Sequence, residues 1–131
     1  MDPAHLIETA HAVAEKAYAP YSNFRVGAAL LTASDEVYTG CNVENASYGL
    51  SMCAERAAAF AMAANAESAE DRKIRLVAVV SPDASPCLPC GACRQVLREF
   101  GCEEVVVVEG SGTRRYPLGE LLPHAFGPEM L

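Results

Sequence analysis

The stretch from Ile74 to Val108, IRLVAVVSPDASPCLPCGACRQVLREFGCEEVVVV, decides the fold of this chain. It begins with an apolar run rich in valine, IRLVAVVS, which is typical of a strand buried on both faces. A proline-rich loop then leads into ACRQVLREF, a predicted helix that Gly101 ends, and EEVVVV predicts a second buried strand. Together with the segments before it, this stretch gives strand, helix, strand, helix and strand from residue 25 to residue 108, which predicts parallel pairing covered by helices, with an antiparallel hairpin at the start.

The chain before this stretch supplies a helix, a hairpin and a second helix. DPAHLIETAHAVAEKAY has Asp2 as a candidate N-cap, Pro3 at the first helical position and apolar residues at helical spacing, which predicts an amphipathic helix. FRVGAALLTA and EVYTGCNV are β-rich and joined by SDE, which predicts an antiparallel hairpin. MCAERAAAFAMAAN is rich in alanine and apolar nearly all round, so we expect a buried central helix.

The chain after Val108 has weaker signals. GSGTRRYPL predicts a turn and a short edge strand, and GELLPHAF predicts a brief terminal helix. The predicted order is therefore α-β-β-α-β-α-β, followed by this weak strand and the short helix. A length of 131 residues, 51% of them hydrophobic, favours one packed domain over residues 1–131.

Charge and composition exclude several classes of function. The net charge is −7 and the longest basic run is the pair Arg114 and Arg115, whereas a polynucleotide-binding surface needs a basic face. No apolar run approaches the roughly 18 residues of a membrane span. The N-terminal residues MDPAHLIETAH lack the basic start of a secretory signal. We therefore expect a cytoplasmic protein that binds neither nucleic acid nor membrane and acts on a small neutral or cationic substrate.

Six cysteines in a chain expected to be cytoplasmic favour metal binding or chemistry over disulfides. Cys90 and Cys93 are one turn apart at a predicted helix start, where thiolates meet free N–H groups and the positive end of the helix dipole. The pair alone would also suit a redox function, but that interpretation leaves Cys53, at the start of the other predicted helix, without a role. Three thiolates from two helix starts can hold one Zn²⁺.

The number of ligands separates a catalytic zinc site from a structural one. Three protein ligands leave one position open, which is typical of catalysis, whereas a fourth thiolate would close the site. The candidates for that fourth thiolate are Cys87, Cys41 and Cys102. Glu55 favours the open site because a carboxylate beside the metal can move protons, although a glutamate in a first helical turn also complements the helix dipole.

Zn²⁺ with three thiolates carries a net negative charge, which weakens its power to acidify water unless cations or N–H donors compensate. Arg56 lies three residues after Cys53 on the same side of the predicted helix, and we expect it to donate to the ligand sulfurs. Arg94 and Gln95 are further candidates for side chains that contact and orient the ligands without binding the metal themselves.

These residues carry a resemblance to a known family. Cys53-Ala54-Glu55, followed by Pro89-Cys90-Gly91-Ala92-Cys93, matches the ligand-x-Glu and Pro-Cys-x-x-Cys signature of zinc nucleobase deaminases. Together with YAPYSNFRVGAAL, GCNVENASYG, PCGACRQV and LLPHAF, this signature makes the chain resemble the small cytidine deaminases of pyrimidine salvage over nearly its whole length. The family pattern continues with Arg-Gln-Val after Cys93, which leaves Cys87 as an extra thiol without a role.

The resemblance implies the fold, the cofactor and the reaction. The fold is expected to be an α/β three-layer α/β/α sandwich with a mixed, mainly five-stranded sheet. One Zn²⁺ per chain, held by Cys53, Cys90 and Cys93, is expected to serve the hydrolytic deamination of cytidine and 2′-deoxycytidine, with Glu55 moving the protons. The family forms homotetramers with active sites shared between subunits, at contacts that involve Tyr48 and Phe126.

The resemblance also implies the substrate contacts. Phe24 is expected to stack on the pyrimidine ring, Asn42 and Glu44 to bind the ribose hydroxyls, and the backbone at Ala54 to contact the base. The residues themselves support part of this, because loops that directly follow a strand often hold ligand contacts. A carboxylate at Glu44 would repel a 5′-phosphate, which favours free nucleosides over nucleotides.

Three other functions remain as alternatives. Blasticidin-type aminonucleoside deaminases share the Cys-x-Glu and PCGxCRQV pattern, but FRVGAALL, the loop with Asn42 and Glu44, and Phe126 favour cytidine. A structural zinc module that binds another protein would have four sulfur ligands and would leave cytidine unchanged. Editing of polynucleotides conflicts with the acidic charge balance.

Overall fold

In the computed structural model, which describes residues 1–131, helices and strands alternate along most of the chain. The helices are α1 (Pro3–Ala14), α2 (Ala54–Asn65), α3 (Gly91–Glu99) and the single turn α4 (Leu118–Leu121). The strands are β1 (Gly27–Thr32), β2 (Val37–Cys41), β3 (Ile74–Val80), β4 (Glu104–Glu109) and β5 (Gly112–Pro117). This order agrees with the order predicted from the sequence. None of the helices combines the length and the apolar character needed to cross a membrane.

The five strands form one mixed sheet in the order β2-β1-β3-β4-β5. The hairpin β1–β2 is antiparallel, as predicted, and β3 and β4 are parallel with α3 packed across them. Fewer neighbouring strands are parallel than the sequence predicts. Only β3 and β4 form a parallel pair, because β1 pairs with β3 in the antiparallel sense. The crossover through α2 starts from the edge strand β2 and passes β1, so it joins two strands of the same direction that are not neighbours.

Helices cover both faces of the sheet, which confirms the three-layer α/β/α architecture. On one face, Leu6, Ile7 and Ala10 of α1 pack on alternate residues of β1 and β3. On the other face, residues of α2 and Leu97 of α3 pack on the intervening residues of the same strands. Since successive side chains of a strand point to opposite faces, the central strands are buried on both sides. Every residue of β1 is buried, and only Arg75 of β3 is not.

Local signals at the helix ends behave as the sequence predicts. The Asp2 carboxylate accepts a hydrogen bond from the His5 amide at 2.9 Å and caps α1. Gly101 follows α3 with a φ of 63°, a left-handed conformation that favours glycine after a helix. The expectation that α2 is a buried central helix holds for only one side of the helix in the single chain: Ala58 and Met62 are buried against the sheet, but Phe60 is 45% exposed.

The topology places two helix starts at one edge of the sheet. Strands β2 and β3 run in the same direction, and the chain leaves each of them through a loop that leads to α2 and α3 respectively. The N-termini of both helices therefore point at the same region, beyond the carboxyl ends of these strands. Open α/β sheets bind their ligands in crevices of this kind.

Candidate metal centre

Three thiols meet where α2 and α3 begin. Cys53 is the N-cap of α2, Cys90 is the N-cap of α3, and Cys93 lies in the first turn of α3. The Sγ atoms of Cys53 and Cys90 are 4.0 Å apart, those of Cys90 and Cys93 are 3.6 Å apart, and all three lie within 4.8 Å of one another. Tetrahedral zinc with bonds of about 2.3 Å places its sulfur ligands about 3.8 Å apart. The two measured separations lie on either side of this value, so the donor set fits Zn²⁺.

The other cysteines lie outside this cluster. Cys102 precedes β4 at the opposite edge of the sheet, where its thiol donates to the Glu104 carbonyl at 3.5 Å. Cys41 ends β2, and Cys87 lies in the loop before α3. Burial raises the pKa of the Cys87 thiol to about 11, and its Sγ is not among the sulfur atoms that lie within 4.8 Å of one another. The geometry therefore favours a site with three sulfur ligands.

Arg56 supplies the positive charge that the sequence predicts beside the thiols. Its Nη2 donates to Cys53 Sγ at 3.4 Å, which fits the spacing of three residues along α2. The pKa of Cys53 is lowered, first by a hydrogen bond from Cys93 and then by the Arg56 guanidinium. Arg56 Nε is buried without a hydrogen-bond partner. The guanidinium therefore stabilises thiolates at the position where a metal ion would need them.

Glu55 is a buried carboxyl group next to the thiols. It is only 4% exposed, and burial raises its pKa to about 6. It belongs to the first turn of α2, two residues after the N-cap Cys53, so the irregular start of the helix lets both side chains serve one site. A carboxyl group with a pKa near the working pH can both accept and donate a proton.

A cavity of about 370 Å³ opens onto the thiols. This volume lies within the range typical of sites for small organic ligands. Cys53, Glu55 and Cys90 form one end of its lining. Most of the remaining lining comes from the chain before β1, the loop after β2 and the loop before α3: Ser22, Phe24, Val26, Asn42, Glu44, Ser51, Met52, Ala54, Cys87 and Leu88.

Four of the six expected substrate contacts line this cavity, namely Phe24, Asn42, Glu44 and Ala54. Asn42 also braces the chain before β1, since its Oδ1 accepts from the Val26 amide and its Nδ2 donates to the Phe24 carbonyl, both at 2.8 Å. The Asn42 amide keeps one N–H and one lone pair for a ligand. Hydrogen bonds from Ser22 hold the pKa of Glu44 below its ordinary value, so this side chain is ionised.

The other two expected contacts, Tyr48 and Phe126, do not line the cavity. Tyr48 is 79% exposed and borders an adjacent cleft, and Phe126 is 56% exposed. The remaining two predicted residues act on the backbone rather than on sulfur. Arg94 donates to the carbonyls of Pro89 and Leu121, at 2.7 and 2.8 Å, and Gln95 donates to the Phe126 carbonyl at 2.9 Å.

Sequence reasoning missed several residues of the cavity. Ser22 contacts Glu44, and Cys87 and Leu88 form the wall that the loop before α3 contributes. For Cys87, the proximity to Cys90 in sequence was the only available signal. For Ser22, no periodicity or motif indicated a partner 22 residues away.

Comparisons with known proteins agree with this geometry. The family model described as the cytidine and deoxycytidylate deaminase zinc-binding region matches residues 2–109. A cytidine deaminase of Halalkalibacterium halodurans is 45% identical, over 98% of this chain and 97% of that protein. A cytidine deaminase of Mycobacterium tuberculosis is 48% identical, over 85% of this chain and 79% of that protein. The crystal structure of cytidine deaminase from Burkholderia pseudomallei has a TM-score of 0.84 at 53% identity and covers 96% of this chain and 100% of that chain.

Proposed function

The chain belongs to the cytidine and deoxycytidylate deaminase family, and we propose that it catalyses the zinc-dependent hydrolytic deamination of cytidine and 2′-deoxycytidine in pyrimidine salvage. The products are uridine or 2′-deoxyuridine and ammonia. The observation that carries this proposal is the juxtaposition of three thiols within 4.8 Å of one another and the buried Glu55 at one end of a cavity.

The residues of the site divide the chemical work. Cys53, Cys90 and Cys93 would hold Zn²⁺, which would supply the Lewis acidity that lowers the pKa of the water that attacks C4 of the cytosine ring. The Glu55 carboxylate accepts a proton from that water, delivers one to N3 and then assists departure of the 4-amino group as ammonia. Its raised pKa, about 6, suits a group that must both take and give protons near neutral pH. Arg56 offsets part of the negative charge of the thiolates.

The walls of the cavity support recognition of a nucleoside. Phe24 offers an aromatic face for the pyrimidine, and the backbone at Ala54 borders the position of the base beside Cys53 and Glu55. Asn42 and Glu44 lie in the same lining and offer acceptors and a donor to ribose hydroxyls. Since Glu44 is ionised and no arginine or lysine lines the cavity, a 5′-phosphate would be repelled. A free nucleoside therefore fits better than a nucleotide.

The proposal extends to assembly and location. The apolar surface that one chain leaves exposed, including Tyr48, Phe60 and Phe126, supports a homotetramer whose subunits complete one another's pockets. A single five-stranded sheet supports one catalytic domain over residues 1–131. A location in the cytoplasm is in keeping with six free cysteines. Sedimentation of the purified protein as a monomer would contradict the shared pockets.

The test is an ultraviolet assay on cytidine with fully loaded, chelator-treated and zinc-restored protein. We expect absorbance loss from cytidine with one zinc per chain, no turnover after chelation, and recovery when zinc returns. Glu55→Gln is expected to retain zinc while kcat falls by roughly 10² to 10⁴, because the amide cannot accept the proton. Glu67→Gln, on the exposed loop after α2, is the matched control and should leave kcat unchanged.

Four outcomes would each contradict part of the proposed function. Faster turnover of an aminonucleoside such as blasticidin than of cytidine would identify an aminonucleoside deaminase. Turnover of a single-stranded oligonucleotide would support the editing of polynucleotides. Zinc bound by four sulfurs with no change in cytidine absorbance would identify a structural module. Full activity of Glu55→Gln would refute the proton-transfer role.

A further inference from the structure

Ser22 lies between the two recognition elements of the cavity, and the mechanism above leaves it without a role. Its hydroxyl donates to Glu44 Oε2, and Ser22 Oγ accepts a hydrogen bond from the Phe24 amide at 3.0 Å. Its backbone N–H donates to Glu44 Oε1 at 3.1 Å, next to the Tyr21 N–H at 3.0 Å. Glu44 thus receives three hydrogen bonds, all from two consecutive residues of the loop before β1.

The contact with Phe24 determines where the Ser22 hydroxyl points. A hydroxyl offers one donor and two lone pairs. Because the Phe24 N–H occupies a lone pair, the hydroxyl proton turns towards Glu44 Oε2. A side-chain hydroxyl provides both functions in one atom, and threonine is the conservative replacement that retains it. Alanine at this position would leave Oε2 without a partner and would keep only the two backbone N–H groups on Oε1.

Three of the roughly four lone-pair positions of the Glu44 carboxylate are therefore used by the protein, which leaves about one for a ligand. Glu44 and Ser22 both line the cavity that opens onto the thiols. A carboxylate held at both oxygens presents its remaining lone pair in one direction. A carboxylate held at one oxygen rotates, and each binding event must then restrict that rotation.

On the basis of the proposed function, we propose that Ser22 is a positioning residue for sugar recognition, which locks the Glu44 carboxylate in the orientation that binds a ribose hydroxyl. Ser22 acts through Glu44 and does not reach the reacting carbon. Its loss therefore weakens the binding of nucleosides that carry 2′- and 3′-hydroxyls and leaves the chemistry at Glu55 intact.

The test compares Ser22→Ala, Ser22→Thr and the control Ser111→Ala, which changes an exposed turn serine between β4 and β5. For cytidine, we expect Ser22→Ala to raise KM about 3- to 10-fold with kcat within about 2-fold, which is the net effect of one hydrogen bond. Ser22→Thr should restore KM, because residue 22 is exposed and has room for the added methyl group. Melting temperatures of all variants check that the fold is retained.

Two further measurements separate a positioning role from a general structural one. The inhibition constant of 2′,3′-dideoxycytidine, which lacks both hydroxyls, should change less than about 2-fold in Ser22→Ala. The double variant Ser22→Ala/Glu44→Ala should have the KM of Glu44→Ala alone, because Ser22 has no other route to the sugar.

Equal weakening of cytidine and 2′,3′-dideoxycytidine, or additive effects in the double variant, would overturn the proposal. If the wild-type protein does not turn over cytidine, the proposed function fails, and calorimetric dissociation constants of uridine and 2′,3′-dideoxyuridine replace KM. A Ser22→Ala effect confined to uridine would then still support the positioning role, and its absence would refute it.

Discussion

Replacement of Gly40 by alanine should disturb the metal centre, although Gly40 is not next to any of the three thiols in sequence and does not line the cavity. Gly40 lies in β2, where α2 crosses closest to the sheet. A Cβ at this position would stand 2.5 Å from the Ala58 nitrogen and 2.6 Å from the Ala54 carbonyl oxygen. Both atoms belong to the backbone of α2, so no side-chain rotation relieves the overlap. Ordinary van der Waals contact begins at 3.4 Å, whereas the added Cβ would lie 2.5 Å from the Ala58 nitrogen. The helix would therefore have to move away from β2 by about 0.9 Å.

This displacement has two consequences of predictable size. Overpacking of a well-packed core lowers the free energy of unfolding by about 1–3 kcal/mol, and for a chain of this length the melting temperature should fall by about 3–12 °C. The retreat also carries Cys53, the N-cap of α2, away from Cys90 and Cys93. Metal–ligand distances tolerate deviations of only about 0.2 Å. We therefore expect zinc affinity to fall about 10- to 100-fold, which is typical of losing a residue that orients a metal ligand.

The assay combines thermal melts of metal-free protein at one protein concentration with competition for zinc against a chromogenic chelator. Gly119→Ala is the matched control, because a Cβ on that glycine of α4 would meet no atom within 4 Å. Gly40→Ala with the melting temperature and the zinc affinity of the wild type would refute the reasoning, since α2 would then not depend on this close approach to reach the site.

Two further substitutions separate stability from metal binding. Gly27→Ala places a Cβ 2.0 Å from the Ala10 carbonyl and should lower the free energy of unfolding by about 3 kcal/mol. It should leave the chelator-measured zinc affinity unchanged, because α1 packs on the other face of the sheet, and a lower zinc affinity would contradict this separation. Cys87→Ser should retain one zinc per chain with affinity within about 2-fold, because the Cys87 thiol lies outside the cluster of three thiols. Loss of zinc from this variant in equilibrium dialysis would instead indicate a site closed by four sulfurs.

Most of the features that the sequence predicted correctly are contacts between residues close to one another in the sequence. The cap at Asp2 and the left-handed Gly101 depend on interactions within one helical turn, and both are as expected. The pair Cys90 and Cys93 is similarly local, since a spacing of three residues at a helix start directs both thiols to one side. The contact between Arg56 and Cys53 follows from the same spacing on α2.

Contacts between distant segments were not predictable in the same way. The antiparallel pairing of β1 with β3 depends on which side of the hairpin the chain returns to, and this is decided by contacts between segments far apart in the sequence. The exposed side of α2 is as apolar as its buried side, so composition did not show which face lacks a partner within the chain. Ser22 and Glu44 have polar side chains in two loops, and nothing local to either indicates the other.

The chain by itself determined the order of the helices and strands, and it offered the thiols and the carboxylate from which a metal site could form, because hydrophobic spacing, caps and ligand motifs act over a few residues. Only the tertiary structure decided that these groups meet at one edge of the sheet, that Cys87 stays outside the thiol cluster, and that Ser22 holds Glu44. The physical reason is that the distances between these side chains depend on how β2 and β3 are aligned and on how closely α2 approaches Gly40. Both are properties of the packed core.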